Sequence, residues 1–396
     1  MKTFPYRFSF LLLMGSLSLT AQGETLPDAL QASKVNLDLR TVYFDRNFDK
    51  PGMVNAKALT FGGMAKVETG AYQGFQVGVA YYGNMHAGVT ERRLSSGTSL
   101  LENPTNDDLS YLGEAYAKYH FGQSSLQLGR QKLATPLAND RDLRALPTTY
   151  RAAVLRSREV QNVHLETGWI TGSSEFAGTA NGFTDSSALW GRDGLGYVFV
   201  DHTPLSHFKW RAQYARSVDP TGIKVRDYRY ADLRFAPTPE TFIEAQYAGN
   251  AYDAAKDSLM FGVQAGMNFS FADVALAYNK IQDNAFRAIQ AGPLYTDWQQ
   301  GYANYEPSEA LGAYVVFKPV ANLSLKLGSV RVSARESSTK DDYAEHILDA
   351  IWTIDSSNRL RVRYSQKDLT DRAYVANPTY PDRSDLRIIY SRSFSN

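Results

Sequence analysis

The chain has 396 residues, no cysteine, 42 basic against 41 acidic residues and 13% aromatic residues. Without cysteine there is neither a disulfide scaffold nor a thiolate metal site, and the balanced charge leaves no footprint for nucleic acid. Mean hydropathy is negative, which excludes a polytopic helical membrane protein; a single solid core usually stops growing near ~250–300 residues, so two soluble domains or one hollow architecture are open.

In chain order, the first element reads as a secretory signal. Lys2 and Arg7 precede the apolar run 8–19, and Ala21 and Gly23 are small residues behind it. These are the n-region, h-region and cleavage site of an exported chain. The run is shorter than the ~20 apolar residues of a spanning helix. Cleavage is expected after Gly23, with Ala21 nearly as good a site. The mature chain then carries 40 basic and 41 acidic residues.

No apolar helical span follows. The longest charge-free stretch, 71–90, contains Gln73, Gln76, Asn84, His86 and four glycines. Its apolar residues recur at every second position. The same alternation runs through the mature chain. Val35, Leu37, Leu39, Thr41 and Tyr43 alternate with Asn36, Asp38 and Arg40. Leu259, Phe261, Val263, Ala265 and Met267 alternate with Gly262, Gln264 and Gly266. Strand side chains point to opposite faces in turn, so each segment has one apolar and one polar face. The polar face carries glycine, glutamine and single charges of both signs, as a water-filled lumen requires.

Eighteen candidate strands result. Their centres lie near Leu39, Ala65, Val79, Tyr116, Leu128, Val154, Thr167, Tyr197, Ala212, Ala231, Ala245, Ala265, Leu276, Val315, Leu327, Ala350, Val362 and Ile389. The arginine-rich segments 151–158 and 225–235 are ambiguous in face. Short connections at 70–74, 122–124, 159–162, 237–240, 319–322 and 355–358 alternate with long ones at 45–57, 83–108, 133–149, 173–191, 282–308 and 370–382. This alternation is the pattern of an outer-membrane barrel, with turns periplasmic and loops extracellular. Leu386, Ile388, Tyr390 and Phe394 give the last strand an aromatic-rich apolar parity. The fold class expected is all-β: a transmembrane antiparallel barrel of 18 strands. The domains expected are a signal peptide at 1–23 and a single barrel at 24–396.

With the apolar parity facing lipid, the charged residues of the other parity line the lumen. The basic set is Arg40, Lys209, Arg211, Lys326, Arg361, Arg363 and Arg387; the acidic set is Glu68, Glu114, Glu166, Asp232 and Glu244. A basic stripe facing acidic groups would focus and orient anionic or dipolar solutes; the plainer reading is that these charges only solvate the lumen. Loop 133–149 concentrates Asp140, Arg141, Asp142 and Arg144 between Pro136 and Pro147. It is either an ordinary surface loop or the constriction of the pore. Six histidines form neither a ligand pair at helical spacing nor a zinc motif. No catalytic residue and no metal ligand is assigned.

The start of the mature chain, KVNLDLRTVYFDRNF at 34–48, resembles the first strand and loop of OprD-type porins. The stretch 128–155 resembles that family's fifth strand, third loop and sixth strand. Within it, Asp142, Arg144, Leu146, Pro147 and Thr149 fit a D-x-R-x-L-P-x-T loop signature. The resemblance implies an eighteen-stranded barrel, monomeric or loosely trimeric, whose third loop folds into the lumen. It implies a passive, substrate-selective channel for small, often carboxylate-bearing solutes, with no cofactor. The partners expected are those solutes, outer-membrane lipid and lipopolysaccharide, and the barrel assembly machinery. The rival readings are a general, weakly selective porin with a structural envelope role and a barrel enzyme or adhesin.

Overall fold

The computed structural model of the chain describes residues 25–49, 55–88, 98, 100–101, 107–140, 145–174, 183–185, 190, 193–217, 225–253, 255–289, 292–297, 307–334, 342–369 and 382–396. The expected signal segment 1–23 and the third-loop residues Arg141, Asp142 and Arg144 lie outside the described residues.

The strands are β1 (Lys34–Phe48), β2 (Ala56–Glu68), β3 (Phe75–His86), β4 (Leu109–Phe121), β5 (Ser124–Gln131) and β6 (Tyr150–Ser157). They continue as β7 (Val163–Ser173), β8 (Thr184–Asp185), β9 (Leu195–Leu205), β10 (Phe208–Ser217), β11 (Val225–Thr238), β12 (Thr241–Tyr252) and β13 (Ser258–Asn268). The last six are β14 (Ala272–Gln282), β15 (Ser308–Val320), β16 (Leu323–Ser333), β17 (Tyr343–Thr353), β18 (Asn358–Leu369) and β19 (Arg383–Ser395). Each pairs antiparallel with its neighbours, and β1 pairs with both β2 and β19. The sheet therefore closes, which leaves no edge to be satisfied in lipid. The two-residue β8 pairs only with β7, while β7 also pairs with β9. The wall is thus the expected 18 strands, with β8 as an addition in the loop after β7.

All eighteen expected centres fall within wall strands. The alternation explains the two faces. Outward residues such as Leu276 and Leu311 are 64% and 62% exposed, which is the apolar band that lipid covers. Their neighbours on the other parity are largely buried or half-buried inside the barrel. At one end the connections are tight. Gly122 turns β4 into β5 at φ +53°, and a Cβ there would lie 2.5 Å from Glu159 Oε1. The helix α1 (Leu26–Gln31), absent from the expectation, sits at this same end. Thr25 caps it through a reciprocal pair with Asp28, and Gly70 N–H donates to Ala29 C=O at 2.9 Å.

The interior differs from a uniformly polar lumen. Val42 and Phe44 share the inward parity of Arg40, and both are buried. Val330, Val332, Ile281, Tyr228 and Tyr230 are likewise inward and buried. They lie toward the long-loop end, where loop residues fold in and cover them. Leu133, Leu137, Trp190, Phe286, Ile289 and Leu294 belong to one buried cluster with Val330, Val332, Ile281, Tyr228 and Tyr230, and Leu100 and Ala145 to a second with Val42 and Phe44. Apolar side chains on the lumen parity are therefore stable where a loop removes them from water.

Candidate functional site: the lumen and its charges

Inward charges on β2–β15 come in matched pairs. Lys66 Nζ lies 3.0 Å from Glu114 Oε2, and Tyr82 OH donates to Glu114 Oε1 at 2.8 Å. Arg156 Nε donates to Glu166 Oε2 at 2.7 Å, and Tyr197 OH to Glu166 Oε1 at 2.5 Å. Arg211 Nε donates to Asp232 Oδ1 at 3.0 Å, and Tyr230 OH to Asp232 Oδ2 at 2.6 Å. Lys209 pairs with Asp201 at 2.8 Å, Lys318 with Asp273 at 2.6 Å, and Arg234 with Glu244. Glu68 accepts from Tyr116 OH and from Gln76 Nε2. With Lys118, these strands place seven inward bases against seven inward acids. Charge-assisted hydrogen bonds hold both members of each pair in place, so this wall is close to neutral.

The remaining wall is not neutral. Lys326 on β16, Arg359, Arg361, Arg363 and Lys367 on β18, Arg383 and Arg387 on β19, and Lys34, Arg40 and Arg46 on β1 share the inward parity. Only Asp38, Glu345, Asp349 and Asp385 accompany them. Ten bases against four acids thus line five adjacent strands. Asp349 takes Arg361 Nε at 2.8 Å and lies 3.2 Å from Arg363 Nε. Asp385 accepts a bidentate fork from Arg46, both bonds at 2.8 Å, and lies 3.3 Å from Arg387 Nη2. Aromatic rings steady the surplus cations. Lys326 Nζ is 4.1 Å from the centroid of the Tyr314 ring, Lys367 Nζ is 4.5 Å from that of Tyr343, and the Arg387 guanidinium is 4.4 Å from that of Phe44. Cation–π attraction of this kind fixes the position of each cation. Arg40, Arg359 and Arg361 also share a polar cavity of about 250 Å3 at the tight-turn end, lined by Ser391 and Ser393.

The described residues of the third loop reach two walls of this lumen. On one side Leu137 N–H donates to Gln213 Oε1 and Gln213 Nε2 donates to Thr135 Oγ1, both at 2.9 Å, which ties the loop to β10. On the other side Ala145 packs with Val42, Phe44, Ala58 and Ile389 of β1, β2 and β19. Strands β10 and β1 stand eight steps apart around the wall of eighteen, nearly opposite. Asp140 lies between these anchorages, and its carbonyl accepts from Thr148 N–H at 2.9 Å.

A family model described as outer membrane porin, OprD family, matches residues 28–309. The chain belongs to the OprD family of outer-membrane porins. No curated protein matches it closely in sequence. Solved structures match the porin's fold across nearly its whole length. Acinetobacter baumannii OccAB3 aligns with a TM-score of 0.78 at 15% identity, covering 92% of this chain and all of the other. Pseudomonas aeruginosa OccK9 (OpdG) gives 0.78 at 18%, covering 93% and 100%. Pseudomonas aeruginosa OpdK, solved with vanillate, gives 0.75 at 17%, with the same coverage.

All twelve strand residues singled out from the sequence share the inward parity of the porin. They are not arranged as one basic stripe facing one acidic wall. Arg211 is bound to Asp232, and Lys209 to Asp201, so these two bases belong to the neutral wall. Glu68, Glu114, Glu166, Asp232 and Glu244 are each engaged by a base or a tyrosine. Lys326, Arg361, Arg363, Arg387 and Arg40 fall together on the positive wall. The bases overlooked there are Lys34, Arg46, Arg359, Lys367 and Arg383; the acids are Asp38, Glu345, Asp349 and Asp385. Alternation with already named neighbours would have found them, since Arg359 and Lys367 are in phase with Arg361. On the neutral wall, Lys66, Arg156 and Arg234 were findable in the same way. The inward folds of two other loops had no comparable signal. Asn84 Nδ2 holds Leu100 C=O at 2.6 Å, and Asn279 Oδ1 accepts from Thr296 N–H and Oγ1 at 3.0 Å each.

Proposed function

We propose that this porin is a passive, substrate-selective diffusion channel for small carboxylate-bearing solutes. The observation that carries the reading is the imbalance of ten inward bases over four acids on β16–β19 and β1, beside a wall whose charges cancel. A low-dielectric wall with one sign of surplus charge focuses field into the water it encloses. A carboxylate is attracted to that wall, and arginine forks offer it paired hydrogen bonds while remaining charged. OpdK, a structural neighbour solved with vanillate, was captured with a ligand of this chemical class. The third loop narrows the path, and Asp140, Arg141, Asp142 and Arg144 act there as the eyelet that orients the solute. Residues 1–23 direct export and are removed, and the mature barrel is inserted by the assembly machinery.

The test is single-channel block in planar bilayers. An aromatic carboxylate should block ion current saturably, and its neutral amide should not. Equal block by the two compounds would remove the carboxylate reading. Ohmic current without block by either would favour a general pore.

A further inference from the structure

The positive wall is open to the lumen over only part of its length. Starting beside the 355–358 turn, successive rows of cross-strand partners on β18, β19 and β1 read Arg359–Ser391–Arg40, Arg361–Ile389–Val42 and Arg363–Arg387–Phe44. Ile389, Val42 and Phe44 pack with Ala145 and Leu146 of the third loop. The loop therefore rests on the second and third rows. Arg363 and Arg387 are only 5% and 2% exposed, and Lys367 beyond them is 5% exposed. On the tight-turn side of the loop, Arg359 is exposed and Arg40 and Arg361 are half-buried. The accessible guanidiniums of this wall thus gather at the periplasmic end.

Arg40, Arg359 and Arg361 line the cavity of about 250 Å3 together with Ser357, Ser391 and Asp355. Arg359 and Arg40 stand one strand away from Ser391 on either side. Among the described residues Arg359 makes no ion pair. The acids beside the cavity are held by other donors. Asp355 accepts from Ser357 N–H at 2.7 Å and from Asn358 N–H and Nδ2, both at 2.9 Å. Asp38 accepts from Ser393 Oγ. Three guanidiniums therefore face one lining carboxylate. A monocarboxylate brings one charge and two coplanar oxygens, which a single arginine fork satisfies. A phosphate group brings close to two charges at neutral pH and oxygens in several directions. That matches forks arriving from different strands with a hydroxyl between them.

We propose that this cavity is a phosphate-binding site on the periplasmic side of the third loop, taking inorganic phosphate or the phosphate group of a small ester. Arg359 and Arg40 grip oxygens from two sides, Arg361 meets the group from the next row, and Ser391 donates its hydroxyl. The site rests on the anion-attracting role of the positive wall and adds to it a second ligand at a second station. Its ligand differs from a monocarboxylate in charge and oxygen number, so the two stations select separately.

The experiment is current block of the whole barrel in planar bilayers, in potassium chloride at neutral pH, with inorganic phosphate, methyl phosphate and acetate as probes. Phosphate should reduce the chloride current saturably, and acetate should need at least a roughly tenfold higher concentration. Block by methyl phosphate would extend the ligand to esters, and its absence would confine the ligand to the free ion; both outcomes support the site. Arg359→Gln should raise the half-blocking phosphate concentration about tenfold, the loss of one hydrogen bond to a charged group. Arg359→Lys restores the charge without the fork and should fall between that variant and wild type. Folding is checked by the heat-modifiable mobility of the barrel. Absence of phosphate block, acetate as potent as phosphate, or an unchanged half-blocking concentration in Arg359→Gln would overturn the proposal. Anion preference in potassium chloride without phosphate block would overturn this site alone. Loss of both would also overturn the reading of the positive wall on which it rests.

Discussion

Tyr197 illustrates how single residues shape the lumen. Its ring lies against Gly168, where an added Cβ would come within 2.5 Å of ring carbon Cε1, and its hydroxyl reaches Glu166. Tyr116 over Gly78 and Tyr82 over Gly113 repeat the arrangement, with Glu68 and Glu114 as acceptors. Glycine on the inward parity thus lets a tyrosine lie flat along the wall, which keeps its carboxylate partner engaged and the lumen open. Gly168→Val should displace the ring and cost about 1–3 kcal/mol, as overpacking does. A lowered midpoint in thermal unfolding of the detergent-solubilised barrel would register this; an unchanged midpoint would mean that the ring is not confined. At the tight-turn end, hydrogen bonds from Ser357 N–H at 2.7 Å and the Asn358 side chain at 2.9 Å hold the Asp355 carboxyl below its ordinary range. Its pKa is depressed on folding, so the stabilisation is present above the unfolded value, near ~3.9, and is lost as pH falls through the lower folded value. The protection factor of the Ser357 amide, its exchange rate relative to an unstructured amide at the same pH, should fall across that acidic window and stay constant between neutral pH and pH ~5.

At the scale of elements, period two was sufficient to place the strands because lipid on one side and water on the other impose it at every residue. It could not place departures from the ladder. A register shift opposite Ala80 and Tyr81 inserts Gly113 into β4, so Glu114 and Tyr116 face inward below it while Leu112 faces outward above. The parity of Arg359 and Lys367 was legible, yet the balance of charge between walls was not, because it depends on which strands adjoin and on acids such as Asp349 and Asp385. Loop folding was legible only through the motif in the third loop. Asn84, Asn250 and Asn279 look like ordinary lumen polar groups until loop backbones are found bonded to them. Gln213 is the third loop's tether on β10. Gln213→Ala removes a donor and an acceptor to the loop, so open-channel current noise should rise severalfold with little change in mean conductance. Noise indistinguishable from wild type would show that the loop is held elsewhere.

For the whole molecule, closure of β19 on β1 is what turns scattered arginines into a field. Residues 40 and 46 lie more than 300 positions from residues 359–387 in the chain, yet they form one wall with them. The near-zero net charge of the chain conceals this, because the neutral wall contributes equal numbers of each sign. Two pairs of substitutions separate the walls. Removing both members of the Lys209–Asp201 pair should leave ion selectivity unchanged. Replacing Arg361 and Arg363 with glutamine removes two charges from the positive wall alone. The decisive measurement is the reversal potential across a bilayer bearing a potassium chloride gradient. Wild type and the Lys209→Gln/Asp201→Asn variant should both show anion preference, and Arg361→Gln/Arg363→Gln should move toward zero potential. A reversal potential for Arg361→Gln/Arg363→Gln equal to that of wild type would contradict the role given to the positive wall.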